Sequence, residues 1–428
     1  MRIDKNTTIK LGDRNIIKIK IGDSVIWQKK TEPEIDYFYI ESLGDGNTIS
    51  VVNKGDGSTS GVTPILEYST DKNTWNTITF DWTSGEHTTE LPVTLNTGEK
   101  MYFRNDTRLF SNSYNKYITF SSTVSSNVGG DIRTLSNYLD VNIGRINSYM
   151  FKNLFYNNQY IVDASNLRLP YTTVAQSCYD GMFNGCTSLT TAPTELPATS
   201  LSFGYSCYSA MFNGCTSLTT APTLPATTLE QSCYNYMFQG CTSLTTAPEL
   251  PATTLVEDCY SSMFNGCTSL TTAPELPATT LARICYSQMF SNCSKLTSAP
   301  KLPSTTLAPY CYNAMFSGCK SLTTAPELPA TTLKDYCYSG MFKYCTSLVN
   351  APALPATTLA QSCYSSMFNS CSKLNSITVY ADDISATDCT NSWLYNVAST
   401  GTFNNYGSAT YTANSPSGIP TGWTEVKN

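Results

Sequence analysis

The strongest constraint on this chain is a unit of 26 residues repeated in tandem. One copy reads Cys233-Tyr234-Asn235-Tyr236-Met237-Phe238-Gln239-Gly240-Cys241-Thr242-Ser243-Leu244, continues through Thr-Thr-Ala-Pro-Glu-Leu-Pro-Ala-Thr-Thr-Leu255, and restarts at Cys259. The opening cysteine recurs at 178, 207, 233, 259, 285, 311, 337 and 363, so the first step is 29 residues and the next six are 26. Self-similarity at such a period marks a solenoid, in which each unit packs only on its neighbours. A chain of 428 residues built this way needs no single compact core.

Within the unit, Leu229, Cys233 and Met237 stand four residues apart, with Tyr234 and Phe238 beside them. That spacing predicts one face of a short helix, capped by Thr228 and ended by Gly240. Thr-Ser-Leu-Thr-Thr-Ala-Pro is too short and too β-branched for a helix and reads as a strand stopped by proline. The expected fold class is α+β: a leucine-rich-repeat solenoid with one short strand and one short helix per 26-residue coil, preceded by an all-β sandwich and a small N-terminal β-hairpin segment.

Phe-x-x-Cys-x-x-Leu-Thr, as at Phe264 to Thr271, followed by Leu-Pro, resembles the BspA-like leucine-rich repeats. That family occurs in surface proteins of gut bacteria and in virion proteins of their phages, including those of Bacteroides and the crAss-like group. The resemblance covers residues 141–428 and implies a fold rather than an activity. The period here is longer than the family's usual one, the extra length lying in Ala-Pro-x-Leu-Pro-Ala-Thr-Thr-Leu.

Seventeen cysteines raise the question of bridges or metal. The two in each unit are eight residues apart, which across a helix is roughly 12 Å, beyond the ~7 Å reach of a disulfide. Zinc sites use closer pairs, and His87 is the only histidine. A degenerate unit is informative: aligning Leu154-Phe155-x-Asn157-Asn158 on Met-Phe-x-Gly-Cys puts Met150 and Asn158 at the two cysteine positions. Buried free thiols in a packing ladder are therefore expected, with no metal and no cofactor.

Taken in order, residues 1–33 read as an N-terminal β-hairpin attachment segment. Eight Lys or Arg oppose three Asp in residues 1–30, and Ile9-Lys10-Leu11-Gly12-Asp13 is echoed by Ile19-Lys20-Ile21-Gly22-Asp23. Ile17, Ile19 and Ile21 alternate with basic residues, so Lys18, Ile19, Lys20, Ile21 and Trp27 are the candidate attachment residues, with Lys29 to Pro33 as linker. Such hairpins resemble those of gut-phage virion proteins. Residues 34–135, with seven short strands between turns and a hairpin at Asp71-Lys72-Asn73, read as an Ig-like β-sandwich. Residues 136–375 form the solenoid with its degenerate first repeat, and 376–428 a C-terminal cap resembling the close of BspA-like proteins. The net charge is −6 although the first 30 residues are basic, which argues against nucleic acid as a partner of the body. No secretory leader and no apolar stretch of spanning length is read in the sequence, so membrane insertion is not expected.

Little in the chain suits catalysis. There is no phosphate loop, nucleophile elbow or His-Glu-x-x-His. Glu249 and Glu275 occupy one position in successive coils, ~5 Å apart if stacked as strands, the separation of a retaining glycosidase pair. Lys301 interrupts that column, no aromatic platform accompanies it, and an enzyme is not expected. Variation between units concentrates between Leu and Cys, which makes Glu257, Asp258, Arg283, Tyr310, Lys334, Asp335 and Tyr336 the candidate ligand surface. The expected function is a non-enzymatic structural or appendage protein at a phage virion surface. Its N-terminal segment would join other virion proteins, its solenoid would meet a host cell-surface glycan or protein, and homo-oligomerisation stays open. A bacterial cell-surface adhesin is the second reading, a polysaccharide-cleaving enzyme the third.

Overall fold

The computed structural model describes residues 10–11, 14–15, 18–21, 24–28, 35–55, 65–80, 82, 85–105, 116–137 and 146–427, divided into units 1–36 and 37–428. In the first unit β1 (Lys10–Leu11) pairs antiparallel with β2 (Arg14–Asn15), and β3 (Lys18–Ile21) with β4 (Ser24–Gln28). Ile19 lies opposite Trp27 and Lys20 opposite Val25, so the candidate attachment residues all fall on the second pair. Ile9, Ile17 and the linker expected at Lys29 to Pro33 lie outside the described residues.

The second unit opens with β5 (Phe38–Ser42), β6 (Asn47–Gly55), β7 (Ile65–Ser69), β8 (Asn76–Thr79), β9 (Gly85–Leu95), β10 (Lys100–Arg104), β11 (Tyr117–Ser122) and β12 (Ser126–Asp131). Alternate residues of β5 and β6 are buried, as a strand covered on one face requires. One sheet runs β12-β5-β10-β7-β8 and the other β11-β6-β9. They meet across Phe38, Phe103 and Phe120, whose ring centroids lie 4.8 to 5.8 Å apart. Between β7 and β8, Asp71 Oδ1 accepts from the N–H groups of Asn73 and Thr74, and these bonds hold its carboxyl down at about 2. Strand β12, Ser-Asn-Val-Gly-Gly-Asp, carries no strand signal of its own. Its glycines serve close approach, since a Cβ on Gly130 would collide with the Tyr37 carbonyl.

The repeats contain no helix, which corrects the expectation of one per coil; among the described residues the only α-helix is α1, Thr134–Asn137. From Cys233 to Cys241 the backbone is a string of consecutive tight turns. Ser232, Tyr234, Tyr236, Phe238 and Gly240 donate their N–H groups to carbonyls of the next coil, at Glu257, Cys259, Ser261, Met263 and Asn265. The residues between them, Cys233, Asn235, Met237, Gln239 and Cys241, donate three residues back within their own coil. Each N–H along the string is thus paired, half along the solenoid axis and half around the coil. This pattern needs left-handed backbone at every fourth residue, and Ser232, Tyr236 and Gly240 have φ of 55°, 56° and 72°. An α-helix cannot contain such residues. The inward set inferred from the spacing nevertheless holds: Leu229, Cys233, Tyr234, Met237 and Phe238 are buried, because a period of four also returns side chains to one side.

Opposite the turns, the expected strand shrinks to single parallel bridges. These run Asp163, Thr191, Thr220, Thr246, Thr272, Ser298, Thr324, Asn350 along successive coils. At one end Asp163 lies in β13 (Ile161–Arg168), which pairs parallel with β12 of the sandwich. At the other, Asn350 opens β14 (Asn350–Leu354), followed by β15 (Ser376–Val379), β16 (Gly401–Asn405) and β17 (Trp423–Lys427), all parallel. A single ladder of pairings therefore links the sandwich to the last strand.

Inside, identical residues stack on identical residues. One aromatic column runs Tyr179, 208, 234, 260, 286, 312, 338 and 364, with Tyr234 and Tyr260 at 5.8 Å and 3°. The other runs from Phe155 through Phe183, 212, 238, 264, 290, 316 and 342 to Phe368. Trp393 extends the tyrosine column at 6.2 Å and Tyr411 stacks on it at 5.8 Å, the Trp393 indole N–H donating to the Gly418 carbonyl. All seventeen cysteines are free and buried. No helix among the described residues is long and apolar enough to cross a membrane.

Candidate ligand-binding edge

The core of each coil admits little variation, since one altered side chain disturbs two stacked neighbours. The side chains free to differ lie on the short segment between Leu and the opening Cys, at the entry to the turn string. Backbone pairing fixes its register: the N–H of Asp258 donates to the Arg283 carbonyl, that of Ile284 to Pro309 and that of Tyr310 to Asp335. Residues 26 apart therefore sit side by side along this edge.

That register brings four of the candidate residues into contact across four coils. Glu257 accepts from Arg283 Nη1 at 2.9 Å, the two side chains 43% and 53% exposed. The Arg283 guanidinium lies 5.7 Å from the Tyr310 ring, and Tyr310 stacks on Tyr336 at 4.5 Å and 5°. Lys334 and Asp335 are exposed on the same coil as Tyr336. Asp258 is occupied differently: its carboxylate accepts from Ser232 Oγ at 2.9 Å and Asn235 Nδ2 at 2.7 Å, bracing the preceding coil. An exposed ion pair of this kind contributes at most ~1 kcal/mol to stability, so the row is not explained as a fold-stabilising device.

Two further groups on this edge escaped the sequence reading. Phe203 is 74% exposed, the highest value among the exposed large hydrophobic side chains, and Tyr205 is 43% exposed. Both lie between Leu201 and Cys207, where five residues stand in place of the three found between Leu229 and Cys233, and Tyr205 aligns with Gln231 and Glu257. The 29-residue first step was the available signal. Insertions in a repeat array tend to mark loops on its binding face. The second is Ile284, whose φ of 62° is costly for a β-branched residue.

The acidic column lies elsewhere. Glu249 and Glu275 are exposed on the stretch between the bridge residues and Leu-Pro, and Lys301 and Glu327 follow them as exposed side chains. His87 sits in β9, opposite Asn53 of β6. Burial pushes the thiols up, Cys233 and Cys311 to about 12, so the cysteines are poor nucleophiles and poor ligands as they stand.

Comparison with known proteins gives one family. The BspA type leucine rich repeat region matches residues 176–323 and 275–387, in six copies. No curated protein and no solved structure matches the chain.

Proposed function

Because this chain is a BspA-type leucine-rich-repeat protein, its repeats spanning residues 176–387, we propose that it is a non-enzymatic adhesion protein that displays the solenoid to a surface glycan or protein of a host cell. The observation that carries this reading is the division of labour within the coil. Stacked Cys, Tyr, Met and Phe repeat almost unchanged inside, while the Leu-to-Cys edge changes from coil to coil and presents Phe203, Tyr205, Arg283, Tyr310 and Tyr336. Tyr and Arg are the residues over-represented at recognition hot spots. The exposed, column-like placement of Glu249 and Glu275 offers no comparable support for glycoside cleavage.

The setting we favour is the virion of a phage of gut bacteria, with residues 1–33 joined to other virion proteins on capsid or tail. It is supported by the basic composition of residues 1–30 and by the short antiparallel pair of β3 and β4, a kind of element to which a partner strand can add. A bacterial cell-surface adhesin is the second reading. Antibodies against the full chain, used for immunogold labelling of producing cultures, distinguish the two. Labelled particles are expected; label confined to the cell envelope decides for the adhesin, and release of neither labelled particles nor labelled envelopes removes the surface role.

A further inference from the structure

We infer that the stretch of edge built by Arg283, Ile284, Tyr310 and Tyr336 is a carbohydrate-binding strip, taking an extended polysaccharide along the solenoid axis. This rests on the adhesive reading above and narrows its ligand to one chemical class.

The residue before each coil-opening cysteine is left-handed throughout: Ser177, Ser206, Ser232, Asp258, Ile284, Tyr310, Tyr336, Ser362 and Asp388, with φ between 49° and 62°. After glycine, left-handed backbone is adopted most readily by short polar residues, and six of these nine are Ser or Asp. The three exceptions are consecutive, and they put an isoleucine and two tyrosines where the flanking coils use serine or aspartate. The turn string requires left-handed backbone here in every coil, so what sets these three coils apart is the bulk of the side chains placed on it. The same three coils hold the Arg283 contact on Tyr310 and the 4.5 Å tyrosine stack.

The chemistry of the strip suits a sugar polymer better than a protein. A protein interface needs roughly 800 Å² per partner around a core depleted of charge. Here Arg283, paired with Glu257, lies over the Tyr310 ring, and Lys334 and Asp335 are exposed on the same coil as Tyr336, so the strip mixes aromatic with charged side chains. A pyranose chain presents the matching alternation: C–H faces that pack on tyrosine rings, and hydroxyls that accept from Arg283 or Lys334 and donate to Glu257 or Asp335. The strip draws one left-handed residue from each of three consecutive coils, in register along the solenoid axis, which fits an extended ligand rather than an isolated small molecule.

The test uses the full chain, fluorescently tagged, on intact cells of a panel of gut Bacteroides strains, with and without periodate oxidation of surface diols. The matching variant is Tyr310→Ser/Tyr336→Ser, which copies the residue of the flanking coils and so preserves the fold; its melting curve is checked against the parent, and Glu275→Ala serves as the off-strip control. Expected are binding lost at least tenfold on periodate treatment, lost at least tenfold in the double variant, and unchanged in Glu275→Ala. Binding that survives periodate overturns the carbohydrate assignment while the adhesive reading stands. Periodate-sensitive binding retained by the double variant overturns the strip. Absence of binding to every untreated strain removes the adhesive reading and this inference with it.

Discussion

Asn158 donates from Nδ2 to the carbonyl oxygen of Phe120 at 3.1 Å, joining the first, degenerate coil to strand β11 of the sandwich. The same bond recurs in every later coil with sulfur as donor: Cys186 to the Phe155 carbonyl at 3.0 Å, Cys215 to Phe183 at 3.1 Å, Cys267 to Phe238 at 3.1 Å. The Phe120 ring also lies 6.2 Å from that of Phe155, tilted by 33°, and the Phe120 N–H donates to the Leu154 carbonyl. Strand β11 thus takes the place of a preceding coil, and Phe120 is the rung before the first in the phenylalanine column. A solenoid end needs such a cover, because its last stacked layer otherwise faces water.

Phe120→Ala is accordingly expected to cost about 3 to 5 kcal/mol and to loosen sandwich and first coils together. Hydrogen exchange checks this: amides at Phe155 and Phe183 should lose protection along with those of β6. Loss confined to the sandwich would show that the two parts are only adjacent.

The thiol ladder separates packing from hydrogen bonding. Phe264→Ala, in the centre of the column, is expected to destabilise by about 3 to 5 kcal/mol. Cys267→Ala removes the donor with a single buried heavy atom, and Phe238 still receives the Cys241 N–H. About 0.5 to 1.5 kcal/mol is expected there. Equal losses in chemical denaturation of the two variants would make the sulfur contact as important as the ring.

Much of the interior was legible because it depends on side-chain spacing alone. Asn158 in a cysteine position already implied a shared role, and the structure supplies it as a shared donor. The helix was misread because periods of 3.6 and 4 place Cys233, Met237 and Cys241 on the same side. Only the backbone distinguishes them, and its sequence mark is weak, since Ser232 and Tyr236 do not announce left-handed φ as Gly240 does. The junction could not be read at all: Phe120 looks like any strand residue until the coil beside it is placed. On the edge, Glu257 and Arg283 were legible as variable positions, but their contact follows from coil register, which the repeat length alone does not fix.

Lys152 Nζ lies 2.6 Å from Asp180 Oδ2, linking the degenerate coil to the first full one, with side chains only 7% and 18% exposed. Burial pushes the Asp180 carboxyl up, and the lysine opposes that shift. Lys152→Met leaves the carboxylate buried alone and is expected to cost about 3 to 5 kcal/mol at neutral pH. With its folded pKa raised further, Asp180 takes a proton more readily folded than unfolded, so the variant should regain stability as pH falls toward 4. A deficit that stays constant from pH 7 to pH 4 would show the pair to be solvated.

The stacked thiols set an alkaline limit on the whole array. Desolvation raises them, Cys178, Cys233, Cys293 and Cys311 to about 12, whereas an exposed thiol ionises near 8.5. Below that value both states hold the proton and the stability is intact. Above it the unfolded chain releases the proton and the folded one keeps it, so each thiol removes about 1.4 kcal/mol per pH unit until its folded pKa is reached. With buried cysteines in every coil, denaturation midpoints in urea under reductant should fall steeply between pH 9 and pH 10.5. The buried tyrosines, also raised by desolvation, add to the slope above pH 10. Replacing both cysteines of two central coils with valine should flatten that slope in proportion, whereas a midpoint unchanged from pH 8 to pH 10.5 in the parent would mean that the thiols are not shielded from water.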